Sequence, residues 1–179
     1  MGIAHGLARY IECHRLAQYG ERGTDVDVIL DLMIHDLDVI LSLVNAEVQN
    51  VEAVGVPVLT NSTDIANARL RFANRCIANI TASRVASKKE RKLRIFQADT
   101  YVSVDYGEKH VRICRRVIEN DQPTITVDEL SLESGDALLA EIEHFVNAVR
   151  TRERPLVDGR TALRALELAE RIRANLETE

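Results

Sequence analysis

Cysteine is scarce: Cys13, Cys76 and Cys114 are the only three in 179 residues, far apart and odd in number. That excludes a disulfide framework and the paired spacing of a zinc site, and it fits a reducing cytoplasm. Long apolar runs are absent too. Nothing approaches the ~20 residues a membrane helix needs, and the opening MGIAHGLARY has no apolar signal-peptide core. A soluble cytoplasmic chain without membrane contact is expected. Positive charge is not in excess, since 23 Lys and Arg against 28 Asp and Glu leave a formal net charge of −5. A surface built to coat nucleic acid is thereby disfavoured. There are no repeats and no low-complexity tract. No G-x-G-x-x-G lies between a strand and a helix and there is no Walker loop, so a nucleotide pyrophosphate is offered none of its usual cradles.

What is present suffices for one domain over 1–179, with 46% hydrophobic residues to fill a core and residues 1–8 read as an expression start or hinge remnant. RYIECHRL (Arg9 to Leu16) reads as a strand, followed by the loop QYGERG. Thr24 or Asp25 can cap a helix running to about Asn45, with Asp27 in its first turn. About seven strands follow: QNVEAVGVPVL, DIANARLRFA, NRCIANITASRV, KLRIFQA, TYVSVDY, KHVRICRRVIE and PTITVDEL. Ala66, Ala68, Leu70 and Phe72 alternate with Ile65, Asn67, Arg69 and Arg71, the pattern of an antiparallel sheet covered on one side, and FANR makes the first pair after QNVEAVGVPVL a hairpin. Helices from Gly135 to about Thr151 and from Gly159 to about Leu176 close the chain, with Pro155 between them. Strands and helices are segregated, which is the α+β class: an open, mostly antiparallel sheet with helices packed on one face.

The stretch DLMIHDLD, Asp31 to Asp38, sets three carboxylates and an imidazole among apolar residues. At roughly 100° per residue, Asp27, Asp31, His35, Asp38, Ser42 and Asn45 fall within an arc about 80° wide. Such a helix should be buried on most sides and open along one line, with Asp36 pointing the other way. The line could border a cleft in which His35 moves a proton and Asp31 orients it, or it could be a solvated seam. A second feature is SKKERKLR, Ser87 to Arg94, with Arg84 shortly before it, a basic cluster able to steer an anionic substrate such as a nucleotide-linked sugar.

Three segments, DLMIHDLD, TDIANARLRFANRCIANITASR and EIEHFVNAVRTRERPLVDGRTALRALELAERI, together resemble the C-terminal domain of the Gfo/Idh/MocA oxidoreductases. The resemblance implies a glyceraldehyde-3-phosphate-dehydrogenase-like C-terminal domain that shapes a substrate pocket and pairs subunits through its sheet. It also implies a separate N-terminal Rossmann domain carrying NAD or NADP, outside this chain. His35 matches the family histidine that assists proton transfer, and Asp31 the acid preceding it. Arg15, Asp38, Arg84 and Lys88 are the candidate substrate contacts; neither cofactor-binding nor metal-binding residues are expected here. The sequence departs from the family pattern at GTDVDV before the helix, at Met33 where a small residue is usual, and at QADT where glycines are usual. The expected function is the substrate-binding half of an NAD(P)-dependent sugar or nucleotide-sugar dehydrogenase, inactive alone. The alternative is a stand-alone dimerisation or ligand-binding module of the same fold.

Overall fold

A computed structural model describes residues 7–20, 25–132 and 135–177. Residues 1–6, the end of QYGERG and Thr24 lie outside the described residues. The first strand, β1 (Tyr10–Leu16), is followed by a π-helical turn over Ile29–Met33 that runs directly into α1 (Ile34–Val44). Seven strands come next: β2 (Val48–Val56), β3 (Ile65–Phe72), β4 (Ile77–Ser83), β5 (Glu90–Phe96), β6 (Thr100–Asp105), β7 (His110–Glu119) and β8 (Gln122–Ser131). The chain closes with α2 (Ala137–Thr151), α3 (Gly159–Ala174) and a two-residue β9 (Leu176–Glu177). Leu176 thus belongs to a strand pairing beside β2, not to the helix the sequence predicted.

The strands form one sheet in the order β8-β7-β6-β5-β1-β4-β3-β2-β9. Every neighbouring pair is antiparallel except β1 with β4 and β2 with β9. β1 therefore sits in the middle, inserted between the β3–β4 hairpin and the β5–β8 meander. The hairpin turn is fixed by Asn74, whose side chain accepts from the Cys76 N–H and donates to the Val44 carbonyl at the end of α1. Arg75 takes the left-handed conformation the turn requires, with φ 68°.

Alternation along β3 behaves as predicted. Ala66, Ala68, Leu70 and Phe72 are buried, and they share a face with Ile11 and Cys13 of β1 and Ala78 and Ile80 of β4. Leu37, Ile40, Leu41 and Val44 of α1 and Leu168 and Ile172 of α3 join the same core. Each large side chain removed from water here contributes on the order of 1.5–3 kcal/mol, and truncating Phe72 to alanine would cost about 3–5 kcal/mol. Asn45, left-handed at φ 44°, ends α1 by donating its N–H to the Leu41 carbonyl.

Helix α2 is an exception to the helix layer. Asp136 caps it through the Leu138 and Leu139 N–H groups, but among its described residues only Ala148 is buried, and none joins the main core cluster. Among the described residues no helix is long and apolar enough to cross a membrane.

Candidate functional site

The helix carrying DLMIHDLD begins at Asp27, not at Asp25; Thr24, the other cap the sequence offered, lies outside the described residues. The Asp27 Oδ1 accepts from the Ile29 and Leu30 N–H groups at 3.0 and 3.1 Å, satisfying donors that the first turn leaves unpaired. The other oxygen meets Arg173 at the end of α3, 2.7 Å away, so one carboxylate both starts the helix and ties it to the C-terminal helix. The turn that follows is π-type: the Ile34 N–H reaches the Ile29 carbonyl, five residues back. Such turns are recurrent at functional sites, and this one contains Asp31 and ends two residues before His35. Met33 is fully buried, so the large residue at that position enlarges the core and not the exposed line.

Burial around the helix follows the predicted inversion. Ile29, Met33, Asp36, Leu37, Ile40, Leu41 and Val44 are buried, while Asp31, His35 and Ser42 are exposed. The side chains of Asp31 and His35 make no hydrogen bond or ion pair among the described residues, so the expected orienting contact between them is not formed here. Asp38 is half-buried, and its Oδ1 is shut off from solvent with no hydrogen-bond partner among the described residues. A buried acceptor of this kind calls for a donor from outside.

Asp36, on the opposite side, faces β1. Arg15 donates to both of its oxygens at 2.8 Å, in a bidentate pair whose side chains are 15% and 5% exposed. The guanidinium of Arg15, expected from the sequence to contact substrate, is here paired with Asp36 and bolts α1 onto the sheet. The adjacent Cys13 is buried, and burial followed by the charge of Asp36 pushes its thiol upward, which makes it a packing residue and not a nucleophile.

Arg84, the other arginine expected to contact substrate, is also drawn into the fold. It is 5% exposed, lies 3.7 Å from Asp64, and donates to the Val26 carbonyl just before the site helix. Asp64, fully buried, accepts from the N–H groups of Val58, Leu59 and Thr60 and from the Thr60 hydroxyl. Burial alone would raise its pKa, but these donors outweigh it and hold the carboxyl down at about 2. The Thr63 carbonyl accepts from the Val28 N–H at 3.0 Å. The Asp64–Arg84 cluster thus fixes the loop between β2 and β3 and the entry to the site helix together. Sequence reasoning missed Asp64, although the hairpin register that pairs Ile65 with Ser83 sets Asp64 opposite Arg84.

The basic cluster is divided by strand alternation. Lys92 and Arg94 project from the sheet face away from the helices, where Lys92 meets Asp105 at 3.4 Å and Arg94 meets Glu12 at 2.6 Å. Lys88 is exposed in the preceding loop, at the end of β1 where Gln18 donates to the Ser87 carbonyl. Lys88 and Lys89 in the loop and Arg91 near the start of β5 are left exposed.

Among the described residues, the helix N-termini do not offer a dinucleotide pyrophosphate its usual cradle. The N-termini of the chain's helices are taken by their own carboxylates: Asp27 at the site helix, Asp136 at α2, and Asp158 at α3, where it accepts from the Thr161 N–H. A pyrophosphate would meet a negative charge at each. Among the described residues no group of His, Cys, Asp or Glu is arranged to hold a metal ion.

An open, mostly antiparallel sheet with a D-x-x-x-H-x-x-D helix across it defines the class as an oxidoreductase C-terminal domain. Residues 6–101 match the family described as the GFO/IDH/MocA C-terminal domain, and the chain belongs to that family. It is 40% identical over 174 residues to UDP-N-acetylglucosamine 3-dehydrogenase of Acidithiobacillus ferrooxidans, spanning 96% of this chain and 56% of that protein. The solved structure of that dehydrogenase superposes with a TM-score of 0.87 over 96% of this chain and 54% of its own. Levoglucosan dehydrogenase in complex with NADH and L-sorbose, at 14% identity and a TM-score of 0.77 over 95% of this chain and 56% of its own, shares the fold. The chain therefore spans about half the length of the relatives it matches.

Proposed function

We propose that this chain is the substrate-binding and assembly half of an NAD(P)-dependent dehydrogenase that oxidises a hydroxyl of a sugar nucleotide, UDP-N-acetylglucosamine being the leading candidate. The observation that carries the reading is the exposed pair Asp31 and His35 on a helix otherwise sequestered in the core. Oxidising an alcohol to a ketone frees the hydroxyl proton as the C–O bond gains double-bond character. An imidazole within hydrogen-bond reach of that oxygen can hold the proton near neutral pH. Asp31, close to His35 on the same exposed line, would engage the imidazole or a neighbouring sugar hydroxyl once the cleft closes. Asp38 would give its unpaired oxygen to a donor from the ligand or from the rest of the polypeptide. Lys88 would meet the diphosphate. NAD or NADP would be held outside this chain.

Assembly would use the sheet face opposite α1 and α3. There Tyr10, Phe96 and Tyr101 form a row with centroid spacings of 5.4 and 5.0 Å, bordered by the Glu12–Arg94 and His14–Glu90 pairs. A half-exposed face of aromatics with its charges already paired suits a second copy.

The test is to join the chain to its natural N-terminal half and measure nicotinamide reduction with UDP-N-acetylglucosamine against simple sugars. Turnover that survives His35→Asn undiminished would sink the assignment of His35. The isolated chain is expected to show no turnover and no measurable NAD(P) affinity by calorimetry.

A further inference from the structure

A cavity of about 520 Å³ opens beside the start of the site helix, lined by Tyr19 and Asp25 from the segment after β1 and by Leu59, Thr60, Asn61 and Ser62 from the loop joining β2 to β3. Its volume is within the roughly 300–1,000 Å³ of small-molecule sites. The walls are anchored. Asp64 holds the Leu59 and Thr60 N–H groups and the Thr60 hydroxyl, and the Thr63 carbonyl accepts from the Val28 N–H at the head of the helix. On the other wall the Ala17 carbonyl accepts from the Ala86 N–H and the Gln18 amide donates to the Ser87 carbonyl, which ties the segment carrying Tyr19 to the loop carrying Lys88. Tyr19, Asp25 and Asn61 are exposed, and among the described residues none of their side chains makes a hydrogen bond or an ion pair. Their bonding capacity is unspent.

Resting on the functional reading above, we infer that this cavity seats the nucleoside end of the sugar nucleotide, with Tyr19 and Asn61 holding its base. The chemistry of the lining selects that end. Neither lysine nor arginine lines the cavity and Asp25 brings a negative charge to it, so a diphosphate is turned away. A neutral group with hydroxyls and a flat face is what fits. The Tyr19 ring offers a surface on which a base can stack. The Asn61 amide carries a donor and an acceptor side by side, matched to the N–H and adjoining carbonyl of a uracil edge. The Asp25 carboxylate can accept from ribose hydroxyls, as an acidic residue does in dinucleotide folds. Placement agrees. Asp25 precedes the helix cap Asp27 by two residues, Asp31 lies about 6 Å beyond that cap along the axis, and His35 about 6 Å further. In a sugar nucleotide two phosphates separate the base from the reacting sugar, so the molecule requires two sites with a cation between. The cavity, Lys88 and the Asp31–His35 line supply the three at one end of the sheet.

The experiment is a titration of the longer polypeptide, this chain joined to its natural N-terminal half, with UDP, uridine and N-acetylglucosamine. Calorimetry reads UDP, and ligand-observed NMR reads the two weaker ligands. Tyr19→Ala should weaken UDP and uridine alike by at least ~5-fold, the loss of one stacked base, and Tyr19→Phe should restore most of it. Asn61→Ala should weaken the same two ligands, whereas Lys88→Ala should weaken UDP and spare uridine. In turnover the Tyr19→Ala effect should fall on KM and not on kcat. Both side chains are exposed, so the melting temperature should be retained. UDP affinity unchanged by Tyr19→Ala and by Asn61→Ala overturns the inference, as does a Tyr19→Ala protein that loses N-acetylglucosamine but keeps uridine. Binding is read without activity: Tyr19-dependent UDP binding in a polypeptide that oxidises no sugar nucleotide refutes the functional reading alone, and oxidation with Kd and KM unmoved by both variants refutes the nucleoside site alone.

Discussion

Replacing Asp64 by asparagine perturbs a fully buried carboxylate whose two oxygens are both paired within the chain. Its Oδ2 accepts three backbone N–H groups at 2.8, 2.6 and 2.8 Å, and its Oδ1 accepts the Thr60 hydroxyl at 2.8 Å and faces Arg84 at 3.7 Å. An amide can serve only one side. If its oxygen keeps the three N–H groups, its NH₂ confronts the buried Arg84; if it turns, the three donors lose their acceptor. Breaking a buried charged cluster this way costs about 3 kcal/mol, or a melting temperature lower by roughly 6–12 °C for a chain of this size. The pH dependence adds a signature. A carboxyl held at about 2, against an ordinary value of 3.8, stabilises the fold above pH 4 and loses that contribution as pH falls through 2. The gap between wild type and Asp64→Asn, read from urea unfolding, should therefore narrow by about 2 kcal/mol across that window. A variant within about 0.5 kcal/mol of wild type at neutral pH, with a gap that does not move with pH, would refute the account of the cluster.

Asp36→Ala leaves Arg15 buried and unpaired and is expected to cost about 3–5 kcal/mol in chemical unfolding, whereas exchanging both for apolar residues of similar volume should recover most of the loss. His35→Asn and Asp31→Asn, on the exposed line, should change the melting temperature by less than ~2 °C while lowering kcat of the joined polypeptide, roughly 100-fold or more for His35. Tyr10→Asp on the open sheet face should lower the oligomeric mass seen by light scattering without unfolding the chain, and an unchanged mass would remove that face from the assembly.

Much of the architecture is legible in the sequence because it rests on period. The alternation in IANARLRF sets the buried face of β3, FANR sets the hairpin register, and the narrow polar line of DLMIHDLD sets which residues stay outside. What stays hidden depends on contacts between elements. Arg15 and Asp36 could be paired only by combining two facts: odd residues of β1 face the helices, and Asp36 points away from the His35 line. The π turn has no sequence signal, since neither proline nor glycine accompanies it. The basic cluster looks like one patch when read along the chain, yet pleating sends Lys92 and Arg94 to the face away from the helices. The α2 helix is plain in the sequence, but that its apolar stripe meets none of this chain's core is a tertiary fact.

The most direct measurement is steady-state oxidation of UDP-N-acetylglucosamine by the longer polypeptide, with wild type and His35→Asn compared across pH. The account predicts nicotinamide reduction by wild type and a fall of at least ~100-fold in kcat for the variant, with its melting temperature retained. Equal turnover by the two proteins would contradict it.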